Sequence, residues 1–445
     1  MIDSFLKRIL MILLFLAGTV QGTVAASLPQ LTLENALTKA IKGDRWLRGN
    51  RLAQEAKLHQ ANAASALPDP KVAFKVMNLP TDSWELDQEM MTQISLGLSQ
   101  TFPRGQSLEL QSKKLRIEAS AFSILREERE AKLTRLVSKL WLDAYLAQQT
   151  IRLIESDRAL FEQLVEIAKA NYSNTIGKTR QQDVIRAQLE IAHLEDRITL
   201  EQNHLAFAKT QLHEWIYQPK NLEVNAQSIF DKPQYSLPTS PPKIDSHVMD
   251  PNAKIIRKLK NHPSVRALDV KHQVALNDIR LAEQLYKPQW QVNASYGFRD
   301  NATLNLERSD LFSLELSFDL PLFTSTKQDP TLKAAAKQAG VVKSDRYLLI
   351  KQMASALGSF KKQITYLKKR QKLYQNRLLK QAHDQAEAAI TAYTNDDGDF
   401  AEVARARIAE MNARIQALKI DVEILKSTVQ SNYLLAQSKV ELNYE

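Results

Sequence analysis

The chain has 445 residues with no cysteine and only 11 glycines, and its 60 basic and 50 acidic residues are interleaved. The lack of cysteine excludes a disulfide scaffold, a thiolate metal site and a cysteine nucleophile. The glycine content is well below the usual level and predicts long elements with few tight turns. The densest basic stretch, 361–370, carries apolar residues at helical spacing, which favours a solvated helix face over a nucleic-acid patch.

The N-terminal segment has the pattern of a secretory signal peptide. Lys7 and Arg8 precede the apolar run Ile9–Val20, and small residues then lead to a cleavage site after Ala26. The apolar run is too short for an ordinary transmembrane helix. No stretch of 18 consecutive apolar residues follows it. We therefore expect residues 1–26 to be removed from an exported protein without a helical membrane span.

Proline placement indicates that the chain consists of two sequence repeats. Residues 104–218 and 331–445 contain no proline, and helix interiors exclude proline, so each block is predicted to be helical. The segment before the first block, Ile94–Pro103, aligns without a gap on Phe312–Pro321. We interpret this as an internal duplication. The predicted domains are a first repeat at 27–217, a proline-rich connector at 218–251 and a second repeat at 252–445.

Each repeat opens with a helix and continues with two predicted strands. Apolar and polar residues alternate over about 71–77, 93–102, 289–298 and 311–320, which is the period of β-structure. Such strands suit either a transmembrane barrel with a wet lumen or a soluble sandwich. Their length and the signal peptide favour the membrane. The aromatic residues predicted to face lipid are Trp290, Tyr296, Phe298, Phe312 and Phe318.

The two proline-free blocks carry apolar residues every three and four positions, as at Leu133, Val137 and Leu140. This repeat predicts coiled-coil packing. Each block is interrupted once by a glycine-containing turn, at 172–177 and 393–398, so each should form a long helical hairpin. The hairpins are predicted at 104–217 and 325–435.

Four strands cannot close a barrel, and an open sheet edge cannot face lipid. Closure therefore requires other copies, and three copies would supply twelve strands. The predicted fold class is mainly α with a β-barrel. A duplicated unit of helix, β-hairpin and long helical hairpin would form a trimeric twelve-stranded outer-membrane barrel and a periplasmic α-helical tunnel.

Motifs for catalysis are lacking in the sequence, so we expect neither an enzyme nor a bound cofactor. We expect no metal site either: His204 and His213 are nine residues apart and miss a common helix face, and Met77, Met90 and Met91 suit packing. Two other classes of protein stay open, a periplasmic adaptor and a coiled-coil surface stalk. An adaptor normally has one helical hairpin, and a stalk needs no amphipathic β-hairpins.

Several short motifs resemble those of the TolC-like outer-membrane efflux family. They include Asn261–Val265 at the start of the second repeat, Tyr286–Trp290 before its strand, and Gly177 followed by Asp183–Gln188. The resemblance covers nearly the whole chain after the signal peptide. Two further motifs, Leu67–Pro70 and Gln100–Gly105, look most like the branch that serves heavy-metal cation exporters.

The resemblance implies a homotrimer in outer-membrane lipid that works with a periplasmic adaptor protein and an inner-membrane efflux pump. The chain itself would be a passive duct, with energy and most of the substrate choice supplied by these partners. No nucleic-acid partner is implied.

The resemblance also implies that the tunnel narrows at the helical turns, where acidic side chains ring an aperture. The candidates near the first turn are Lys178, Arg180 and Asp183, and those near the second are Asp396, Asp397 and Asp399. Rings of carboxylates would favour cations. The alternative is that these aspartates are ordinary turn residues, which tolerate left-handed backbone conformations.

Overall fold

The computed structural model describes residues 30–173, 181–217, 235–246, 252–301, 307–395 and 398–436. The predicted signal peptide and most of the predicted connector lie outside these ranges. Within them, no helix combines the length and the apolar character needed to cross a membrane.

The described elements follow the same order in both halves, a helical pair, a β-hairpin and a long helical hairpin. The first half contains α1 (Leu33–Gly43), α2 (Arg45–Ala63), β1 (Lys71–Met77), β2 (Gln93–Phe102), α3 (Ser107–Ser173) and α4 (Gln181–Ile216). The second contains α5 (Asn252–Lys260), α6 (Pro263–Glu283), β3 (Trp290–Phe298), β4 (Leu311–Phe318), α7 (Gln328–Leu373), α8 (Leu379–Thr394) and α9 (Phe400–Leu434). A π-helical turn, Tyr374–Leu378, joins α7 to α8.

Helix starts are set by side chains that accept hydrogen bonds from exposed backbone N–H groups. Thr32 caps α1 through Asn35 N at 3.2 Å, and Asp44 caps α2 through Trp46 N at 3.1 Å. His262 caps α6, whose first residue is Pro263. Each cap satisfies a donor that the helix itself leaves unpaired.

The four strands form one antiparallel sheet in the order β1-β2-β3-β4. The central pairing joins the two halves, with Leu96 opposite Tyr296. One chain therefore supplies an open four-stranded sheet whose two edges, β1 and β4, come from different halves. The closed twelve-stranded barrel of the sequence prediction needs strands beyond this chain.

The long helices lie side by side, with α3 packed on α4 and α9, and α9 packed on α7 and α8. The two edges of this layer are α4 and the α7–α8 leg. The shorter helices α2 and α6 pack on α3, and α6 also packs on α7.

Buried side chains form three clusters along the helices. The largest surrounds Trp141, whose indole Nε1 donates to Leu31 O at 2.9 Å and whose ring stacks on Tyr145. A second cluster around Phe161, Phe400 and Met411 lies closer to the hairpin turns. The third joins α5 and α6 to α7 and the end of α9.

Candidate functional site: the sheet faces and the hairpin turns

One face of the sheet is apolar from edge to edge, with Gln100 as its one polar side chain among the paired residues of the four strands. Strand pairing places Val72, Leu98, Ala294 and Leu314 in one cross-strand row, because side chains two residues apart share a face. The other members of this apolar face are Phe74, Val76, Ile94, Leu96, Phe102, Trp290, Val292, Tyr296, Phe298, Phe312, Leu316 and Phe318. All five aromatic residues predicted to face lipid therefore lie on one face. Most of its side chains are exposed, with Phe312 at 71%.

The opposite face is polar. Gln291 on β3 donates to Ser99 Oγ on β2 at 3.0 Å and to Asn293 Oδ1 at 2.9 Å. Asn293 in turn donates to Glu315 Oε2 on β4 at 3.4 Å. Lys71 and Lys75 lie on this face of β1. The sheet thus separates an apolar surface from a hydrogen-bonding one.

Contacts between the halves hold the sheet at both ends. At the end near the helices, Arg104 donates to Lys287 O at 2.8 Å and forms an ion pair with Asp319. At the far end, Arg308 donates to Asp87 O and Glu89 O, each at 3.1 Å. The loop after β3 is thereby joined to the loop between β1 and β2.

The predicted aperture residues are only partly described. Asp183 lies in the first turn of α4 and is 6% exposed. Asp399 is the N-cap of α9, where its carboxylate accepts a hydrogen bond from Ala401 N at 3.2 Å. That contact is a helix cap with an extended backbone, and the aperture role of Asp399 stays a prediction. The remaining candidates lie outside the described residues: Lys178, Arg180, Asp396 and Asp397.

A cluster of charged side chains around the buried Glu410, which the sequence alone did not reveal, joins the two helical hairpins. We call it the hairpin-linking cluster; its members are Asp157 on α3, His383 on α8, and Arg407, Glu410 and Arg414 on α9. Glu410 is 3% exposed and contacts His383 Nδ1 at 2.9 Å, Arg407 Nη1 at 2.7 Å and Arg414. Arg414 also reaches Asp157 at 3.5 Å.

Electrostatics within this cluster favour charged Glu410. Burial alone would raise the pKa of its carboxyl group, but hydrogen bonds from His383 and Arg407 and the charge of Arg414 bring the pKa below its usual value. Burial raises the pKa of Asp157, against the effect of Arg414. The spacing of Arg407, Glu410 and Arg414, three and four residues apart beside Met411, was the available sequence signal, because it places these charges on one helix face.

Other candidate ligands do not converge. His204 contacts Glu201 at 3.4 Å, whereas the ring of His213 packs on that of Tyr217. In the described part of the chain, no three His, Cys, Asp or Glu side chains are grouped as a metal site would require.

Several solved membrane proteins share this architecture along most of their length. VceC from Vibrio cholerae has a TM-score of 0.70 at 12% identity, covering 91% of this chain and 95% of that one. A membrane protein from Pseudomonas aeruginosa gives 0.74 at 14% identity, with 93% and 92% covered. The open-state MtrE outer membrane channel of Neisseria gonorrhoeae gives 0.67 at 15% identity, with 91% and 88% covered.

No protein-family model matches the chain, and no curated protein does. The likeness to the solved structures shows the fold. It is the mostly helical fold of outer-membrane channels, which confirms the coarse fold of one chain expected from the TolC-like resemblance; the closed twelve-stranded barrel stays a prediction.

Proposed function

We propose that the protein is an outer-membrane duct, in which three copies join into a closed barrel of twelve strands continued by a helical tunnel in the periplasm. The observation that carries the proposal is the sheet itself, which has one largely apolar face, one polar face and two edges that are unpaired within the described chain. A sheet in lipid has to satisfy its edges by closure. Pairing β4 of one copy with β1 of the next does this in an antiparallel sense.

In this assembly the apolar face contacts lipid and the polar face lines water. Trp290, Tyr296, Phe298, Phe312 and Phe318 would lie against the membrane. The long helices extend from the sheet, and α3 alone, with 67 residues, spans about 100 Å at 1.5 Å per residue. That length suits a tunnel that meets a periplasmic adaptor and an inner-membrane pump. An adaptor or a surface stalk would not need an apolar sheet face.

The proposed activity is passive export of small compounds delivered by the pump. The heavy-metal branch remains a hypothesis that rests on the motifs Leu67–Pro70 and Gln100–Gly105. Deleting the gene and measuring growth across metal salts and across organic toxins would distinguish cations from other substrates. Sensitivity to organic toxins without sensitivity to metals would contradict the heavy-metal assignment.

The basic test is assembly and conductance. The protein should be recovered from outer membranes in detergent as a trimer, and it should open water-filled channels in planar bilayers. A monomer that stays folded in solution without detergent would contradict the proposal.

The hairpin turns are the proposed aperture. Asp183, Asp396, Asp397 and Asp399 would each become a ring of three carboxylates, with Lys178 and Arg180 as cationic neighbours. Replacing the four aspartates with alanine should change single-channel conductance, lower its preference for cations and weaken its sensitivity to divalent cations. The matched control is Asp384→Ala, an exposed carboxylate on α8 away from the turns. Unchanged currents in the fourfold variant would assign these aspartates to turn formation alone.

A further inference from the structure

We propose that neighbouring copies meet through a defined helical contact, in which α4 of one copy packs antiparallel to α7 of the next, with Leu200 facing Leu373 and Phe207 facing Tyr366. The inference rests on the trimer proposed above and adds the contacting surfaces and their register. Four observations support it.

The first is that α4 is apolar on two opposite sides. Ile198 is buried among the hairpin helices, whereas Leu200, two residues on, lies about 200° around the helix and is 52% exposed. Phe207 follows seven residues later on the same side and is 65% exposed. Since α4 is an edge helix, this stripe points away from the rest of its own chain.

The second is that α7, at the opposite edge, repeats this arrangement. Ile364 is buried, and Tyr366, again two residues on, is 64% exposed. Leu373 lies seven residues later on the same side and is also exposed. The two edges therefore carry apolar pairs of equal spacing, so one register can satisfy both contacts.

The third observation is that, in this register, the facing residues lie at similar distances from their hairpin turns. Leu200 lies 19 residues after the start of α4. Leu373 lies 21 residues before the end of α8. Both are about 30 Å from their hairpin turns at 1.5 Å per residue, so the stripes meet when the turns of neighbouring copies are level. The register also sets Asp196, one turn below Leu200, against Arg377, one turn below Leu373. Both charges are exposed, and neither forms an ion pair within the described part of the chain.

The fourth observation is that one chain already contains a contact of this kind between its two hairpins. The first leg of hairpin one, α3, packs antiparallel to the second leg of hairpin two, α9, through Asp143–Lys426 at 2.6 Å and Asp157–Arg414 at 3.5 Å. By the repeat, the α7–α8 leg should pack on α4 in the same manner. However, α4 lies at the far edge of its own chain, so the α4 of another copy takes that place.

Disulfide trapping tests the register directly, because the chain contains no cysteine of its own. The matched variants are Leu200→Cys with Leu373→Cys, and Phe207→Cys with Tyr366→Cys. The crossed controls, Leu200→Cys with Tyr366→Cys and Phe207→Cys with Leu373→Cys, use the same four positions displaced by one heptad, about 10 Å. Each is oxidised in detergent and run on a denaturing gel without reductant.

Matched variants should give covalent dimers and trimers in about tenfold higher yield than crossed ones, because a disulfide tolerates little displacement. Equal yields from matched and crossed variants, in protein that is trimeric by size, would overturn the proposed register while leaving the trimer intact. A monomeric unmodified protein would instead overturn the proposed function.

Charge reversal provides a second measurement that does not depend on the cysteine variants. Asp196→Arg or Arg377→Asp alone should lower the temperature at which the trimer dissociates, and the double variant should restore it. If the double variant is no more stable than the single ones, the pairing is wrong.

Discussion

Arg104 and Asp319 form an ion pair that joins the end of β2 to the end of β4, across the boundary between the two halves. The same guanidinium donates to Lys287 O at 2.8 Å and to Leu285 O at 3.4 Å, while Asp319 Oδ1 accepts from Gln289 N at 2.6 Å. One side chain thus orders the inner ends of three strands where the sheet meets the helices.

Arg104→Ala should therefore lower the thermal stability of the trimer, at a cost of about 1–2 kcal/mol per copy, because two carbonyls and a carboxylate lose a charged donor. Arg104→Lys is the matched control, and it should restore only part of the loss, since an ammonium cannot reproduce the planar fork of donors. Thermal dissociation followed on a gel measures the effect. Full stability in the alanine variant would show that the contact is dispensable.

The neighbouring Gly105 should not tolerate a side chain. Its φ of +48° favours glycine, and an added Cβ would lie 2.4 Å from Lys287 Cδ and 2.5 Å from Gln284 Oε1. We expect Gly105→Ala to destabilise the protein by about 1–2 kcal/mol. Gly340→Ala in α7 is the control, because its Cβ meets nothing within 4 Å and alanine should stabilise that helix by up to about 1 kcal/mol. Similar melting temperatures for both variants would contradict this account.

Neighbouring positions on β4 should respond oppositely to a charge. Leu314→Lys places an ammonium on the apolar face, which costs about 2–4 kcal/mol near the middle of a membrane, so we expect loss of membrane insertion. Ser313→Lys places the same group on the polar face and should leave assembly intact. Recovery of heat-stable trimer from outer membranes compares them. Equal recovery would mean that this face does not contact lipid.

His262 should make stability depend on pH. Its Nδ1 accepts from Ser264 N at 3.2 Å, so the ring is neutral, and burial lowers its pKa below the usual 6.5, although Glu128 opposes the shift and Lys132 adds to it. As the pH falls below about 6.5, the unfolded chain takes up the proton first, and stability decreases. His262→Asn keeps a capping oxygen without this titration, so its melting temperature should fall less between about pH 7 and pH 5. An identical slope in both proteins would exclude His262 as the source.

Within the hairpin-linking cluster, Glu410 should hold α8 on α9 and position Arg414 against Asp157 of the other hairpin. Glu410→Gln removes the carboxylate shared by His383, Arg407 and Arg414, and we expect a loss of about 2–4 kcal/mol. The Glu410 carboxyl has a lowered pKa, so its contribution is complete above about pH 4.5 and is lost at lower pH. Glu402→Gln, which alters an exposed pair with Arg405, is the control. Hydrogen exchange along α8 and α9 should rise only in the Glu410 variant.

Local periodicity predicted the faces of elements well, because it depends only on neighbouring residues. The alternation in β3 predicted that Trp290 and Tyr296 share a face, and the structure has this arrangement. Pairing Leu96 with Tyr296 could not be predicted, since the two residues are 200 positions apart and no local rule sets such a register. The π-helical turn at Tyr374–Leu378 contains no proline or glycine, so the sequence offered no local signal from which to predict it.

The aperture region shows the same limit. Asp399 could be either a turn former or an aperture residue, and only the contact with Ala401 N identified it as a cap. Glutamate side chains are usually exposed to solvent, yet Glu410 is buried between His383 on α8 and two arginines of its own helix. The spacing of Arg407, Glu410 and Arg414 indicated one shared helix face, but burial of that face depends on tertiary contacts that periodicity does not show.

The contacts of Arg308 with the loop between β1 and β2 have a mechanical consequence. Together with the contact of Arg104 at the opposite end, they join the two β-hairpins at both ends of the sheet, so the four strands of one chain should resist sliding past one another. Widening of the proposed duct would then leave the sheet unchanged and arise from bending of the long helical hairpins. The sheet and the helical hairpins of one molecule would therefore differ in mechanical stiffness. A pulling force on the helices should bend them before any strand changes its register.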